Sequence, residues 1–208
     1  MKCSLCNSSV SLTFQSKKRE YYKCNNCFAI GMSPLFYPST EKEINRYQNH
    51  NNDVNDVRYQ NFVNPIVKNV LSDFKPNHIG LDFGCGTGPV ITKLLRDQNF
   101  RINTYDPFFD NNIEALNTTF DYIVCCEVIE HFHYPYKEFK LLKSLLKPNG
   151  KMYFMTDPYI ETIDFENWYY KDDDTHVFFY HKNTFEWLKE EFNFSKVTIE
   201  NRLIIFEN

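Results

Sequence analysis

The 208-residue chain has no uncharged apolar run approaching 18 residues, so no membrane-spanning helix is expected. Its start, Met1-Lys2-Cys3-Ser4-Leu5-Cys6, lacks the apolar centre of a secretory signal, and the expected location is cytoplasmic. Basic charge is not in excess: 23 Lys and Arg stand against 27 Asp and Glu, a net charge of −4. That balance argues against a large sequence-independent nucleic-acid surface. There is no internal repeat and no low-complexity tract, and seven cysteines are an odd number for a disulfide framework. What the chain has in quantity is apolar surface. Hydrophobic residues make up 42% and aromatics 17%, which excludes global disorder and supplies a substantial core. The length suits one full-sized domain with a small module attached.

The cysteines divide into two kinds. Cys3 and Cys6 form a Cys-x-x-Cys pair, and after 17 intervening residues Cys24 and Cys27 form another. Two such knuckles can present four thiolates to one tetrahedral Zn²⁺, and the gap suits a hairpin with strands near 13–15 and 21–23. A piece this short buries too little surface to fold alone, so a structural metal is expected to stabilise it. A redox role is disfavoured because neither knuckle opens a helix after a strand. Residues 1–33 are read as this zinc ribbon. Cys85, Cys125 and Cys126 read as small core or pocket-wall residues.

Residues 34–64 read as a helical connector. Thr40 and Glu43 have the spacing of a capping box for a helix over 41–49, and a polar turn is expected over 49–53. Asn64-Pro65 reads as the start of the next helix, with Ile66, Val67, Val70 and Leu71 on its apolar face. From there strands and helices alternate. Strands are expected at 78–83, 100–105, 120–126 and 151–156, with crossover helices at 88–98 and from 136, and a late helix opens near Thr184. Two strands at 195–199 and 202–206 close the chain. This order predicts an α/β fold for 65–208: a doubly wound, mostly parallel sheet closed by an antiparallel C-terminal hairpin and preceded by the ribbon.

Chemistry enters at Leu81-Asp82-Phe83-Gly84-Cys85-Gly86-Thr87-Gly88, between the first strand and its helix. Glycines at 84, 86 and 88 permit positive φ and let a ligand lie against the backbone. Asp106, 18 positions past Gly88, stands at the tip of the next strand, where a carboxylate can accept ribose hydroxyls. A dinucleotide fingerprint would read Gly-x-Gly-x-x-Gly, whereas this loop reads Gly-x-Gly-x-Gly. The pattern resembles motif I of the class I (Rossmann-like) S-adenosylmethionine-dependent methyltransferases. The resemblance continues in Phe120-Asp121-Tyr122-Ile123 with Glu127-Val128-Ile129-Glu130-His131, and in Leu145-Leu146-Lys147-Pro148-Asn149-Gly150. It covers about residues 66–208 and implies an enzyme with S-adenosylmethionine as cofactor. Carried over, it puts Asp82 and Gly84 near the methionine moiety, Cys85, Gly86 and Gly88 along the cofactor, Asp106 at the ribose and Glu127 at the cleft floor. One departure is a 13-residue interval between Asp106 and Phe120, which shortens the usual third strand and leaves Pro107, Phe108 and Leu116 as candidates for the adenine wall.

Methyl transfer to a hydroxyl or amine needs alignment and a base, and histidine is the default base near neutrality. His131 and His176 are the candidates, with His133 behind them. Residues 157–181 are expected to form a lid over the acceptor, with His176 and Tyr170 facing the transferred methyl. The expected acceptor is a small molecule: a metabolite, a sugar-linked intermediate or a quinone precursor. Two alternatives stand beside it. Some ribosomal RNA methyltransferases also carry an N-terminal cysteine module, although Lys17-Lys18-Arg19 is the only basic cluster here. The other is an interaction protein that binds the cofactor without turnover.

Overall fold

The computed structural model describes residues 1–49 and 52–208, so His50 and Asn51 of the polar turn expected at 49–53 lie outside the described residues. The ribbon contributes three strands, β1 (Val10–Gln15), β2 (Glu20–Cys24) and β3 (Ile30–Met32), one more than its hairpin predicts. Helix α1 (Thr40–Gln48) follows, with the Ser39 side chain accepting from the Lys42 amide as its cap.

Helix α2 (Val57–Asp73) corrects the sequence reading. It begins at Val57, where the Asp56 side chain accepts from the Arg58 amide, and Pro65 lies inside it. The boundary expected at 64/65 therefore falls within one helix. Val63 stands upstream of the proline on the same buried stripe as Ile66, Val67 and Val70, and burying that stripe outweighs the hydrogen bond that Pro65 cannot make.

The main sheet is built from β4 (Ile79–Phe83), β5 (Arg101–Tyr105), β6 (Phe120–Cys126), β7 (Leu146–Met155), β9 (Lys196–Glu200) and β10 (Leu203–Glu207). Its order is β5-β4-β6-β7-β10-β9, parallel from β5 through β7 and antiparallel where β10 joins β7 and β9. Between β5 and β6 there is only a short bridge and a 3-10 turn (Ile113–Asn117), so β5 is an edge, as the short interval predicts.

Alternation along the strands feeds both faces. Tyr122, Val124, Tyr153 and Met155 pack against α2 and α3 (Val90–Asp97). Ile123, Cys125, Met152 and Phe154 pack on the opposite face against α4 (Pro135–Leu145) and α5 (Lys182–Glu191). That second core also takes in Cys3, Leu5, Tyr21 and Ile30 of the ribbon. The joint between the two units is β8 (Phe178–Phe179), which pairs antiparallel with β3. Among the described residues no helix is long and apolar enough to cross a membrane.

Candidate functional site

The glycine loop leaves the C-terminal end of β4. Gly84 (φ 78°) and Gly86 (φ 63°) occupy the left-handed region. A Cβ on Gly84 would lie 2.5 Å from a Val128 methyl, whereas one on Gly86 would meet nothing within 4 Å. Gly86 thus marks open space above the loop. The Gly84 amide donates to the Tyr105 carbonyl (2.7 Å), and the Gly86 amide to Asp106 Oδ2 (2.9 Å). Asp106 Oδ1 accepts from the amides of Phe108 (2.8 Å) and Phe109 (3.1 Å). Asp106 therefore ties loop to strand end, and only Oδ2 keeps capacity for a further partner.

Two of the expected cofactor residues do not reach this space. Asp82 is 4% exposed, accepts from Thr92 Oγ1 (2.7 Å) and is pushed up to about 6 by burial. It points at α3, away from the loop's open side. Gly88 has the Asn52 backbone where a side chain would go, so it serves close packing.

A cavity of about 740 Å³ opens at the C-terminal ends of β4, β5 and β6. The chain runs from β4 outward to β5 and then returns to β6 on the other side of β4, which leaves a crevice where the order reverses. Gly84, Cys85, Gly86, Asp106, Pro107 and Glu127 line it, as expected, and so does Phe108. Leu116 does not. Glu127 adopts φ 52°, and its carboxyl is pushed up to about 7 by burial and by the charge of Glu130. One oxygen is paired with Arg202, while Oε1 is buried with no partner among the described residues. An open glycine backbone beside an unsatisfied buried carboxyl oxygen fits a polar ligand with N–H or O–H groups.

His131 and His176 come together in the same wall, ring centroids 4.8 Å apart. Each ring is fixed by a backbone carbonyl. His131 Nδ1 lies 2.9 Å from the Thr175 oxygen, and His176 Nδ1 lies 2.6 Å from the Tyr170 oxygen. A carbonyl only accepts, so both Nδ1 atoms donate and both Nε2 atoms carry the lone pair. Burial lowers the pKa of both. For His176 the value falls to about 3, with the neighbouring His131 adding to the effect.

Tyr170 and the lid depart from expectation. Tyr170 is 5% exposed and does not line the cavity. Its hydroxyl donates to Glu130 and lies 3.1 Å from Thr156 Oγ1 and 3.3 Å from Glu127 Oε2, a buried network beneath the cavity. Glu130 is fully buried there and pushed up to about 7 by desolvation. Residues 157–181 form no lid over the cavity: Trp168, Phe178, Phe179 and Tyr180 are buried in the core, Ile160 and Tyr169 are exposed on the surface, and only Asp173 and His176 of the segment reach the cavity. Tyr47 of α1, with Tyr59 and Phe62 of α2, line the cavity instead. A lone aromatic in a mostly polar helix was the signal at Tyr47, and it is too weak to read unaided.

The Sγ atoms of Cys3, Cys6, Cys24 and Cys27 lie within 4.8 Å of one another, and none is in a disulfide. Cys3 and Cys27 are separated by 3.7 Å, Cys6 and Cys24 by 3.3 Å. Four thiolates on a zinc ion at about 2.3 Å would stand roughly 3.7 Å apart, so the cluster fits. Each knuckle turns through a left-handed residue just after its second cysteine, Asn7 (φ 57°) and Phe28 (φ 64°). In the second knuckle the amides of Asn26 and Cys27 donate to Cys24 Sγ, both at 3.4 Å.

A family described as a methyltransferase domain matches residues 56–199. No curated protein matches the chain. Among solved structures, a SAM-dependent methyltransferase from Archaeoglobus fulgidus has 17% identity and a TM-score of 0.55, over 72% of this chain and 94% of that one. Phosphoethanolamine N-methyltransferase 2 of Haemonchus contortus, in complex with S-adenosyl-L-methionine, has 16% identity and a TM-score of 0.55. There the match covers 77% of this chain but only 43% of the nematode protein. An O-methyltransferase family protein from Burkholderia thailandensis has 12% identity and a TM-score of 0.51, with 60% of its length covered. These likenesses concern the fold. With the glycine loop, the sheet order and the family match in agreement, the chain belongs to the methyltransferase domain family.

Proposed function

We propose that the protein methylates a small-molecule acceptor, and that a structural Zn²⁺ on Cys3, Cys6, Cys24 and Cys27 stabilises the ribbon beside that site. The observation that carries the first part is one cavity holding both the open loop at Gly86 and two histidines with free Nε2 lone pairs. S-adenosylmethionine supplies an electrophilic methyl on a sulfonium sulfur. Gly84, Cys85 and Gly86 offer backbone for it, Asp106 Oδ2 takes a ribose hydroxyl, Pro107 and Phe108 give apolar surface, and Glu127 Oε1 accepts a polar hydrogen. His131 and His176, both neutral at physiological pH, each hold a lone pair ready for the acceptor's proton.

A volume of about 740 Å³ is of the size of small-molecule sites. The chain's net charge of −4 supports such an acceptor over RNA. Methyl-labelled cofactor incubated with fractionated small metabolites, and separately with total RNA, tests the reading. Label is expected in a small-molecule fraction. Label in RNA alone overturns the acceptor class, and cofactor binding without label in any fraction favours the non-catalytic alternative. Elemental analysis is expected to find about one zinc per chain.

A further inference from the structure

No residue of the ribbon lines the cavity, yet the ribbon grips the segment that carries His176. β3 is shared between two neighbours. On one side Ile30 and Met32 pair with Lys23 and Tyr21 of β2, and on the other Ile30 and Gly31 pair with Phe179 and Phe178 of β8. One step further the Met32 amide donates to the Val177 carbonyl (2.8 Å), while the Val177 amide donates to the Glu130 carbonyl (2.9 Å). Val177 is thus held between the ribbon and the turn that carries His131. His176 precedes it directly, and its ring orientation depends on the Tyr170 carbonyl in the same segment.

Two further ties run from the ribbon. Arg19 donates to the Lys171 and Asp172 carbonyls and pairs with Asp174. Thr184 Oγ1 donates to the carbonyl of Cys27, a residue of the thiol cluster (2.8 Å). The knuckle at Cys24–Cys27 also closes the β2–β3 hairpin, with the Cys24 amide donating to the Ala29 carbonyl (2.8 Å). A three-residue strand pairing with a two-residue one has no stability of its own, so β3 stays in place through the closure of that knuckle together with the packing of Tyr21 and Ile30 against Phe179.

We propose that the ribbon is a positioning element of the methyl-transfer site: its metal locks β3, β3 locks Val177, and Val177 sets His176 in the wall of the cavity that the glycine loop also lines. The inference rests on the proposed function for the role of His176 and for the metal. The glycine loop, Asp106 and Glu127 make no bond to the ribbon among the described residues, so loss of the metal disturbs the base and spares cofactor binding.

The test uses the full chain before and after metal removal by a chelator under reducing conditions. Calorimetry with S-adenosylhomocysteine reads the cofactor side. Imidazole nitrogen NMR, with His176 assigned through His176→Gln, reads the base side. Expected are unchanged cofactor affinity, a His176 ring that stays neutral at pH 5 only while metal is bound, and methyl transfer slowed roughly a hundredfold on its loss, the range for a misplaced general base. Met32→Pro is the second arm, because it keeps all four cysteines and removes the amide that Val177 accepts. It is expected to retain metal and to show the same change in His176. A His176 titration that ignores both metal loss and Met32→Pro overturns the proposal, as does unfolding on metal loss with Met32→Pro behaving as wild type. Failure of the untreated protein to bind S-adenosylhomocysteine would instead sink the methyltransferase site itself.

Discussion

Replacing His176 with glutamine separates the cost of an unprotonated buried imidazole from everything else that titrates in this fold. In the unfolded chain the ring takes a proton near pH 6.5, and in the folded chain only near pH 3. Between those limits the unfolded state binds more protons, so this group's contribution makes stability rise with pH and fall as the solution is acidified from 6.5 towards 3. At about pH 5 the penalty is about 2 kcal/mol, and above about pH 7.5 it vanishes. Glu127 and Glu130 act with the opposite sign. Their carboxyls are raised from 4.5 to about 7, so they favour the folded state in acid and lose that contribution as pH rises through the same window.

The two carboxyls together outweigh the one imidazole in the wild-type stability curve, so only its difference from the variant isolates His176. Urea unfolding of both proteins, followed by tryptophan fluorescence at about pH 5, 6 and 7.5, provides it. The glutamine variant loses the bond to the Tyr170 carbonyl at every pH, a constant deficit of about 1 kcal/mol. Against that offset it should gain about 2 kcal/mol relative to wild type between pH 7.5 and pH 5. Parallel curves would mean that His176 protonates freely, and the argument that it is held neutral in the wall fails.

Two further substitutions probe one residue that lines the cavity and one that the structure places beneath it. Asp106→Ala removes the acceptor for three backbone amides as well as for the ribose, so S-adenosylhomocysteine affinity should drop by about 2 kcal/mol and the denaturation midpoint should fall with it; wild-type affinity by calorimetry would place the ribose elsewhere. Tyr170→Phe leaves buried Glu130 with Thr156 as its one side-chain donor and should cost about 1–3 kcal/mol of stability in urea. Its single-turnover rate should stay well above that of His176→Ala, and the reverse ranking would return Tyr170 to the chemistry.

The features legible in the linear chain are those whose partners lie close in sequence. The loop from Gly84 to Gly86, the acid at the next strand tip and the Glu127–His131 run are each a few residues long, and the strand ends bring them to one crevice by topology alone. The Cys-x-x-Cys pairs are of the same kind, since each knuckle is a local turn and the hairpin between them is short. The alternation of strands with helices was enough for the sheet class, because crossover chirality leaves few other arrangements, and the 13-residue interval between Asp106 and Phe120 was enough for the missing strand after β5.

What only tertiary packing decided concerns faces and distant partners. Asp82 stands within two residues of the glycine loop, yet its β-strand position turns it to α3, and a side chain's face is a matter of register that sequence proximity does not reveal. Tyr170 and His176 lie six residues apart, and one hydroxyl goes down into the Glu130 network while the other ring joins the cavity wall. Pro65 reads as a helix start until the buried stripe on both sides of it is seen to share one core. The pairing of β3 with β8 joins residues nearly 150 positions apart. No local pattern encodes such a pairing, because its stability comes from rings contributed by both units that are buried only once the two units have met.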